Sequence, residues 1–259
     1  MSSSQQKNAA ARERIQAARA EQVRRDRRRK QLIVGIAAVA VVAAGTGIGV
    51  AVQSHRAASD KPYLAPAHSS GTDGTVVVYG KPTAKATLQV YEDFRCPICA
   101  RLEHSAGTAI QSLADQGTYK IEYHFGAFLD GNLGGHGSRS ALNAAGAALN
   151  ESTAKFKAFH DVLYANQPEE TNDGFADPDT LLALADKVPG LKTAAFTKAV
   201  RDQSFEPWAQ KVADAFYKSD VTGTPTLKLN GKTLTVVKQD GSTVTGDEFT
   251  ALVDQALAG

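Results

Sequence analysis

Between residues 75 and 259, runs rich in β-branched and aromatic residues alternate with stretches whose apolar residues recur at helical spacing. The first pattern is typical of strands and the second of amphipathic helices. The predicted strands lie at 75–79, 86–93, 119–128, 226–229 and 234–238. The last two flank Asn230-Gly231, which is a strong signal for a hairpin.

The helical pattern occurs at 96–113, over a mainly helical stretch at about 138–219, and at 246–257. Because strands lie on both sides of the long helical stretch, residues 75–259 are predicted to form one α/β domain. Its ~185 residues are a usual single-domain length and are enough to bury a core.

Residues 31–53 differ from the rest, because they are almost entirely small or branched apolar residues and include no charge. At ~1.5 Å of rise per residue, a helix of this length crosses a ~30 Å hydrocarbon core. We therefore predict a transmembrane anchor. A cleaved signal peptide is the competing interpretation, although its apolar region is usually shorter. Residues 54–74, which contain Ser, Pro, Gly and Asp, are predicted to be a flexible linker.

Charge is distributed unevenly between the tail at 1–30 and the rest of the chain. The tail has ten Lys and Arg against three Asp and Glu, a net charge of +7, so the remainder of a chain whose total is +2 is acidic. An acidic body does not favour nucleic-acid binding by the folded domain. Basic residues before the apolar segment favour a cytoplasmic N-terminus and an extracytoplasmic domain. The arginine run also fits a twin-arginine export signal.

The only cysteines, Cys96 and Cys99, form a Cys-Pro-Ile-Cys motif between a predicted strand and a predicted helix. Free backbone donors and the positive end of the helix dipole favour the thiolate of Cys96 there, and Pro97 suits the first helical turn. Such cysteines have pKa values below the ordinary ~8.5. We therefore predict a redox-active dithiol with Cys96 as the nucleophile.

Two other interpretations of the cysteine pair stay open. Cys-x-x-Cys is also half of a zinc site, with His104 as a conceivable third ligand, but the sequence offers no evident fourth ligand. A permanently closed structural disulfide is the other interpretation, although closing so small a loop stabilises a fold only modestly. We predict neither a metal nor a cofactor.

Two segments give the chain a family resemblance: Tyr91-Glu-Asp-Phe-Arg-Cys-Pro-Ile-Cys99 and the distant Thr222-Gly-Thr-Pro-Thr226. With the helical stretch inserted between the two halves, residues 75–259 resemble the thioredoxin fold and, within it, the DsbA-like thiol–disulfide oxidoreductases. The resemblance implies a cis peptide bond before Pro225, which packs against the dithiol. It also implies that the backbone of Thr224 binds an extended substrate.

One position departs from the strongly oxidising members of this family, which have a histidine where this chain has Ile98. A charge or dipole that would favour the Cys96 thiolate is therefore missing, and the direction of the reaction stays open. Glu92 and Asp93 lie on opposite faces of the predicted strand, so only one of them is expected to point towards the cysteines. We predict that Asp93 accepts the proton of Cys99 during exchange.

These patterns together predict a membrane-anchored, extracytoplasmic enzyme that donates disulfides to exported proteins. The resemblance implies reoxidation by a quinone-linked membrane protein of the DsbB or vitamin K epoxide reductase type. A reductase or isomerase that keeps exported thiols reduced is the alternative enzyme. The alternative outside the enzymes is a membrane-anchored peptide-binding or chaperone module with a structural disulfide.

Overall fold

A computed structural model describes residues 61–258 of the chain. The predicted basic tail at 1–30, the predicted anchor at 31–53 and the first residues of the predicted linker lie outside this range. Within 61–258, none of the helices combines the length and the apolar character needed to cross a membrane.

A six-stranded mixed sheet forms the centre of the domain, with the strand order β1-β2-β4-β3-β5-β6. The strands are β1 Ser69–Ser70, β2 Val76–Tyr79, β3 Ala86–Glu92, β4 Tyr119–Phe125, β5 Thr226–Leu229 and β6 Lys232–Leu234. β3 and β4 are parallel, and the other neighbouring strands are antiparallel. Two parallel strands need a crossover connection, which here is the helix that follows the cysteine motif.

Eight helices surround or extend this sheet within the described residues. They are α1 Pro97–Gln116, α2 Phe128–Leu133, α3 Gly137–Glu151, α4 Thr153–Ala165, α5 Pro178–Ala185, α6 Ala194–Arg201, α7 Glu206–Tyr217 and α8 Gly246–Ala258. Helix α3 is buried on nearly all sides and packs against α4 and α7. A Cβ atom at Gly146 of α3 would lie 2.8 Å from the Trp208 ring, so this glycine permits the close approach of α7. The predicted α/β organisation with a helical insertion is confirmed.

Two predicted strands have different ends. The strand predicted at 119–128 stops at Phe125, because Phe128 already begins α2. The second hairpin strand, predicted at 234–238, lies at Lys232–Leu234 instead. Asn230 and Gly231 both have positive φ, of 49° and 82°, which is the geometry of a two-residue hairpin turn, and the returning strand follows it at once.

The last residues of the predicted linker at 54–74 pack on the domain, in contrast to the expectation. Strand β1 extends the sheet next to β2, and the Ala67 amide donates to the Asn150 side chain at 3.1 Å. The indole N–H of Trp208 donates to the Gly74 carbonyl at 2.6 Å. Gly74 has a positive φ of 68°, so here the glycine supports a turn and does not mark a loose chain.

Candidate active site

The Cys-Pro-Ile-Cys motif lies where β3 ends and α1 begins. Cys96 is the N-cap residue of α1, Pro97 is in its first turn, and the Cys96 amide donates to the Asp93 carbonyl at 2.8 Å. Both cysteines are free thiols; Cys96 is 6% exposed and Cys99 is 0% exposed. Cys96 is therefore the sulfur that another protein can reach.

The surroundings move the pKa values of the two thiols in opposite directions. A hydrogen bond with the Cys99 side chain lowers the pKa of Cys96 despite its burial, and the Thr224 side chain and the Cys99 amide lower it further. Burial raises the pKa of Cys99 well above its ordinary value, and Cys96 and the charge of Glu92 raise it further. Of the two thiols, Cys96 therefore loses its proton at the lower pH, and Cys99 still holds its proton at neutral pH.

We expect this difference to appear directly in thiol alkylation. Because the thiolate fraction rises with pH through the pKa, Cys96 of the reduced protein should reach half its maximal reactivity with iodoacetamide below the ordinary pH of ~8.5. Peptide mass mapping across the pH range would give the midpoint of each cysteine. A Cys99→Ala variant removes the side-chain donor that lowers the pKa of Cys96 most, so its Cys96 midpoint should rise. An ordinary midpoint for Cys96 in the unchanged protein would contradict the assignment.

The loop before β5 contacts Cys96. The Thr224–Pro225 peptide bond is cis, as the resemblance implied. The Cys96 thiol lies 3.5 Å from the Thr224 carbonyl oxygen, to which it donates. Thr224 and Pro225 are half-buried, and Ile98 of the motif packs against the hydrophobic core. The predicted site residues on these two segments are therefore brought together.

The Asp93 carboxylate is buried, but its hydrogen bonds go elsewhere than to Cys99. One oxygen accepts from the Ser138 hydroxyl at 2.6 Å and from the Arg95 amide at 2.9 Å, and the other accepts from the Leu129 amide at 3.2 Å. Burial raises the pKa of Asp93 to about 6. These contacts join the motif to α2 and α3. The predicted proton transfer from Cys99 to Asp93 stays a prediction.

Glu92 is also fully buried, and its charge is the one that acts on Cys99. Its Oε2 lies 3.0 Å from Nε2 of His160, and its Oε1 has no hydrogen-bond partner among the described residues. Sequence reasoning missed Glu92, because alternation along a strand predicts that one of two adjacent acids faces solvent. Here the helical insertion covers the side of β3 that would otherwise be open.

Glu92, Glu103 and His160 have the ligand types of a metal site, with one atom of each within 4.8 Å of the others. Both ring nitrogens of His160 already lie at hydrogen-bond distance from carboxylates, those of Glu92 and Asp161. Burial alone would lower the pKa of His160, but the hydrogen bonds with these two partners and the charges of Glu92 and Glu103 raise it to about 9. A protonated imidazole has no lone pair for a metal, so the group is better described as a proton-binding network.

Gln167 and Arg95, which were not predicted as site residues, connect the motif segment with the helical part of the domain. Gln167 donates from its amide nitrogen to the carbonyls of Phe94 and Cys96, at 2.8 and 3.0 Å. Arg95, only 4% exposed, forms ion pairs with Asp130 at 3.0 Å and Asp173 at 3.1 Å. An arginine beside a cysteine motif is usually solvated, and no local pattern marks the distant aspartates that bury this one.

Comparisons with known proteins agree with this geometry. The thioredoxin family model matches residues 72–255. The chain is 27% identical over 158 residues to disulfide bond formation protein D of Bacillus subtilis, covering 61% of this chain and 68% of that protein. The oxidised crystal structure of Mycobacterium tuberculosis DsbA is similar with 25% identity and a TM-score of 0.56, covering 70% of this chain and 91% of that one. The oxidised BdbD structure from Bacillus subtilis has 24% identity and a TM-score of 0.59, covering 76% and 100%.

Proposed function

Because the chain belongs to the thioredoxin-fold family of DsbA-like thiol–disulfide oxidoreductases, we propose that it works as an oxidase that donates the Cys96–Cys99 disulfide to exported proteins. The observation that carries this direction is the lowered pKa of Cys96. A stabilised thiolate stabilises the reduced enzyme, and a dithiol whose reduced form is stabilised is a strong oxidant when it is closed.

In the oxidising direction, a substrate thiolate attacks Cys96 of the closed disulfide. A sulfur–sulfur bond forms between substrate and Cys96, the Cys96–Cys99 bond breaks, and Cys99 leaves with the electron pair and takes up a proton. A second substrate thiolate then attacks the substrate sulfur of this mixed disulfide, and Cys96 leaves as the thiolate. The substrate has lost two electrons and the enzyme is a dithiol. Cys96 is the better final leaving group, because the lower-pKa thiol leaves faster.

The loop at Thr224 and Pro225 is suited to hold the substrate during these two attacks. Pro225 has no N–H, so the chain before β5 does not continue the sheet ladder there. The backbone next to the nucleophile is then free to pair with an extended peptide, a recognition mode in which main-chain hydrogen bonds give affinity without sequence specificity. We assign substrate positioning to Thr224 on this basis.

We further propose that the enzyme is tethered with its N-terminus in the cytoplasm and its domain outside, by the apolar segment at 31–53. The support is the sequence: an uncharged apolar segment preceded by a basic cluster. A donor tethered to the membrane stays close to membrane proteins that can reoxidise it. We propose that a quinone-linked membrane protein of the DsbB or vitamin K epoxide reductase type is this electron acceptor. Exported proteins with reduced thiols are the substrates.

The test is the reduction potential of the Cys96–Cys99 pair in the full-length protein, equilibrated with glutathione mixtures and quantified by thiol trapping. For a donor we expect a value nearer the approximately −120 mV of strong oxidants than the approximately −270 mV of thioredoxin. A potential near the thioredoxin value would favour the reductase or isomerase alternative. This alternative stays open because the neutral Ile98 lacks the charge that would favour the Cys96 thiolate. A bond that never equilibrates would favour the peptide-binding module.

A further inference from the structure

Cys96 lies where the chain changes from strand to helix, yet the three peptide groups around it are all hydrogen-bonded. Its amide donates to the Asp93 carbonyl at 2.8 Å, and its carbonyl accepts from the Ala100 amide at 3.2 Å in the first turn of α1. The side-chain amide of Gln167 donates to the same Cys96 carbonyl at 3.0 Å and to the Phe94 carbonyl at 2.8 Å. One side chain therefore ties the peptide group after the nucleophile to the one two positions earlier.

The orientation of the Gln167 amide follows from its partners. Both are carbonyl oxygens, which only accept hydrogen bonds, so the amide nitrogen must face them and uses both of its N–H groups. Gln167 comes directly after Asn166, the C-cap residue of α4, and directly before Pro168. A proline favours an extended backbone in the residue before it, which agrees with the end of α4 at this point. The donor is thus carried by the helical insertion, on the segment next to α4.

The backbone of Cys96 decides where its sulfur points. Cys96 is the N-cap residue of α1, with extended backbone angles of −74° for φ and 115° for ψ. From this position a side chain accepts hydrogen bonds from amide groups of the first helical turn. The pKa of Cys96 is lowered by the Cys99 side chain, then by the Thr224 side chain and the Cys99 amide, and all three contacts require the sulfur to stay in its present position. Rotation of either flanking peptide group would turn the Cα–Cβ bond and carry the sulfur away from them.

We propose that Gln167 is a positioning residue of the disulfide exchange, because its amide holds the peptide groups on both sides of Cys96 and so keeps the sulfur against the first turn of α1. The inference rests on the proposed function, since it concerns the nucleophile of the same dithiol. Among residues 61–258, the hydrogen bonds of the Gln167 side chain go to backbone carbonyls and to neither sulfur. Gln167 therefore acts through the backbone, and the helical insertion takes part in setting how readily Cys96 leaves a mixed disulfide as a thiolate.

Gln167→Met tests this role, because methionine has nearly the length of glutamine and no N–H donor. The full-length variant and the unchanged protein are equilibrated with glutathione mixtures over a range of pH, and thiol trapping gives the equilibrium constant for the oxidation of glutathione by each. Where both reduced proteins hold the Cys96 proton, the two constants should be equal. Above the Cys96 midpoint the unchanged protein gains a better stabilised thiolate, so its constant should become about fivefold larger, which is the value of one net hydrogen bond.

The pH dependence of this ratio separates a role at the thiolate from a general loosening of the motif. Strain in the closed disulfide or loss of packing would change the constant by the same factor at every pH. Cys99 of α1 and Asp93, just after β3, are the titratable groups that act on Cys96, and the loop before β5 faces it with Thr224, which does not titrate. The variant keeps all three, so their own effects cancel in the ratio. Iodoacetamide alkylation of the reduced variant gives an independent reading, in which the Cys96 midpoint should rise.

Asn166→Ala is the matched control, since it removes the side-chain contacts of the neighbouring residue with Val162 and Lys187 at the same helix end. Those contacts do not reach the motif, so its ratio should stay at one at every pH. Gln167→Asn, whose amide is one methylene shorter and cannot reach both carbonyls, should give the same trend as Gln167→Met. It covers the case that the methionine variant does not fold.

Three outcomes would overturn the positioning role of Gln167. They are a ratio of one for both Gln167 variants, a ratio that does not change with pH, and an equal change in Asn166→Ala. Failure of the unchanged protein to equilibrate with glutathione would instead overturn the proposed function, and the alkylation midpoints would still decide the role of Gln167.

Discussion

Replacing Cys96 with serine is expected to abolish disulfide transfer, whereas replacing Cys99 with alanine is expected to trap the protein in mixed disulfides. Serine has no sulfur and cannot form a disulfide, so the rate of oxidation of a reduced substrate protein should fall more than about 1,000-fold. Cys99→Ala keeps the accessible nucleophile but removes the resolving thiol. Its covalent adducts should be stable to non-reducing electrophoresis and disappear on reduction.

Both variants need a folding control, because Cys96 and Cys99 belong to the hydrophobic core. Far-UV circular dichroism and a cooperative thermal transition would establish that each variant is folded. If folded Cys96→Ser keeps its activity, the cysteines are not the reactive groups, and the peptide-binding alternative with a structural disulfide gains support.

The second large effect is expected from Arg95→Ala. Arg95 and its partner Asp130 are 4% and 5% exposed, and the guanidinium also donates to the Gly134 and Glu170 carbonyls. Without Arg95, the buried Asp130 carboxylate keeps Arg139 at 3.4 Å but loses its closer cation, and breaking a buried ion pair typically costs about 3–5 kcal/mol of stability. For a domain of this size the expected fall in Tm is about 10 °C. Differential scanning calorimetry of the full-length protein measures it.

Arg201→Ala provides the matched comparison for Arg95→Ala. Arg201 also pairs with an aspartate, Asp179, but the two side chains are 55% and 71% exposed. An exposed ion pair of this kind contributes about 0–1 kcal/mol, so the Tm should barely change. Similar losses in the two variants would contradict the view that burial of the Arg95 pair is what couples the motif to the insertion.

Local patterns in the sequence were sufficient to predict the central strands and the helix after the motif, and to single out the two cysteines as the candidate dithiol. Each of these rests on information that lies within a few residues: alternation, helical spacing, or a proline in the first helical turn. The ends of β4 and β6 were less predictable. They depend on where a helix begins at Phe128 and on a two-residue turn at Asn230 and Gly231.

The surroundings of the dithiol could not be predicted in the same way. Several of its contacts join residues that are dozens of positions apart in the sequence, and no periodicity encodes such distances. These contacts are made by Gln167, Arg95 and His160. The alternation of the strand also could not show which of Glu92 and Asp93 points towards the cysteines. Alternation assumes that one face of a strand is exposed to solvent, but the insertion buries the carboxylates on both faces at the end of β3.

Strand β1 has a practical consequence for preparing the domain without the N-terminal segment. A fragment that starts at residue 75 would leave the edge of β2 unpaired, and an exposed strand edge is a template for association with another copy. It would also remove the Gly74 carbonyl that accepts from Trp208. Starting near residue 61 retains both contacts, so the solubility of a truncated enzyme should depend on about a dozen residues that resemble a spacer.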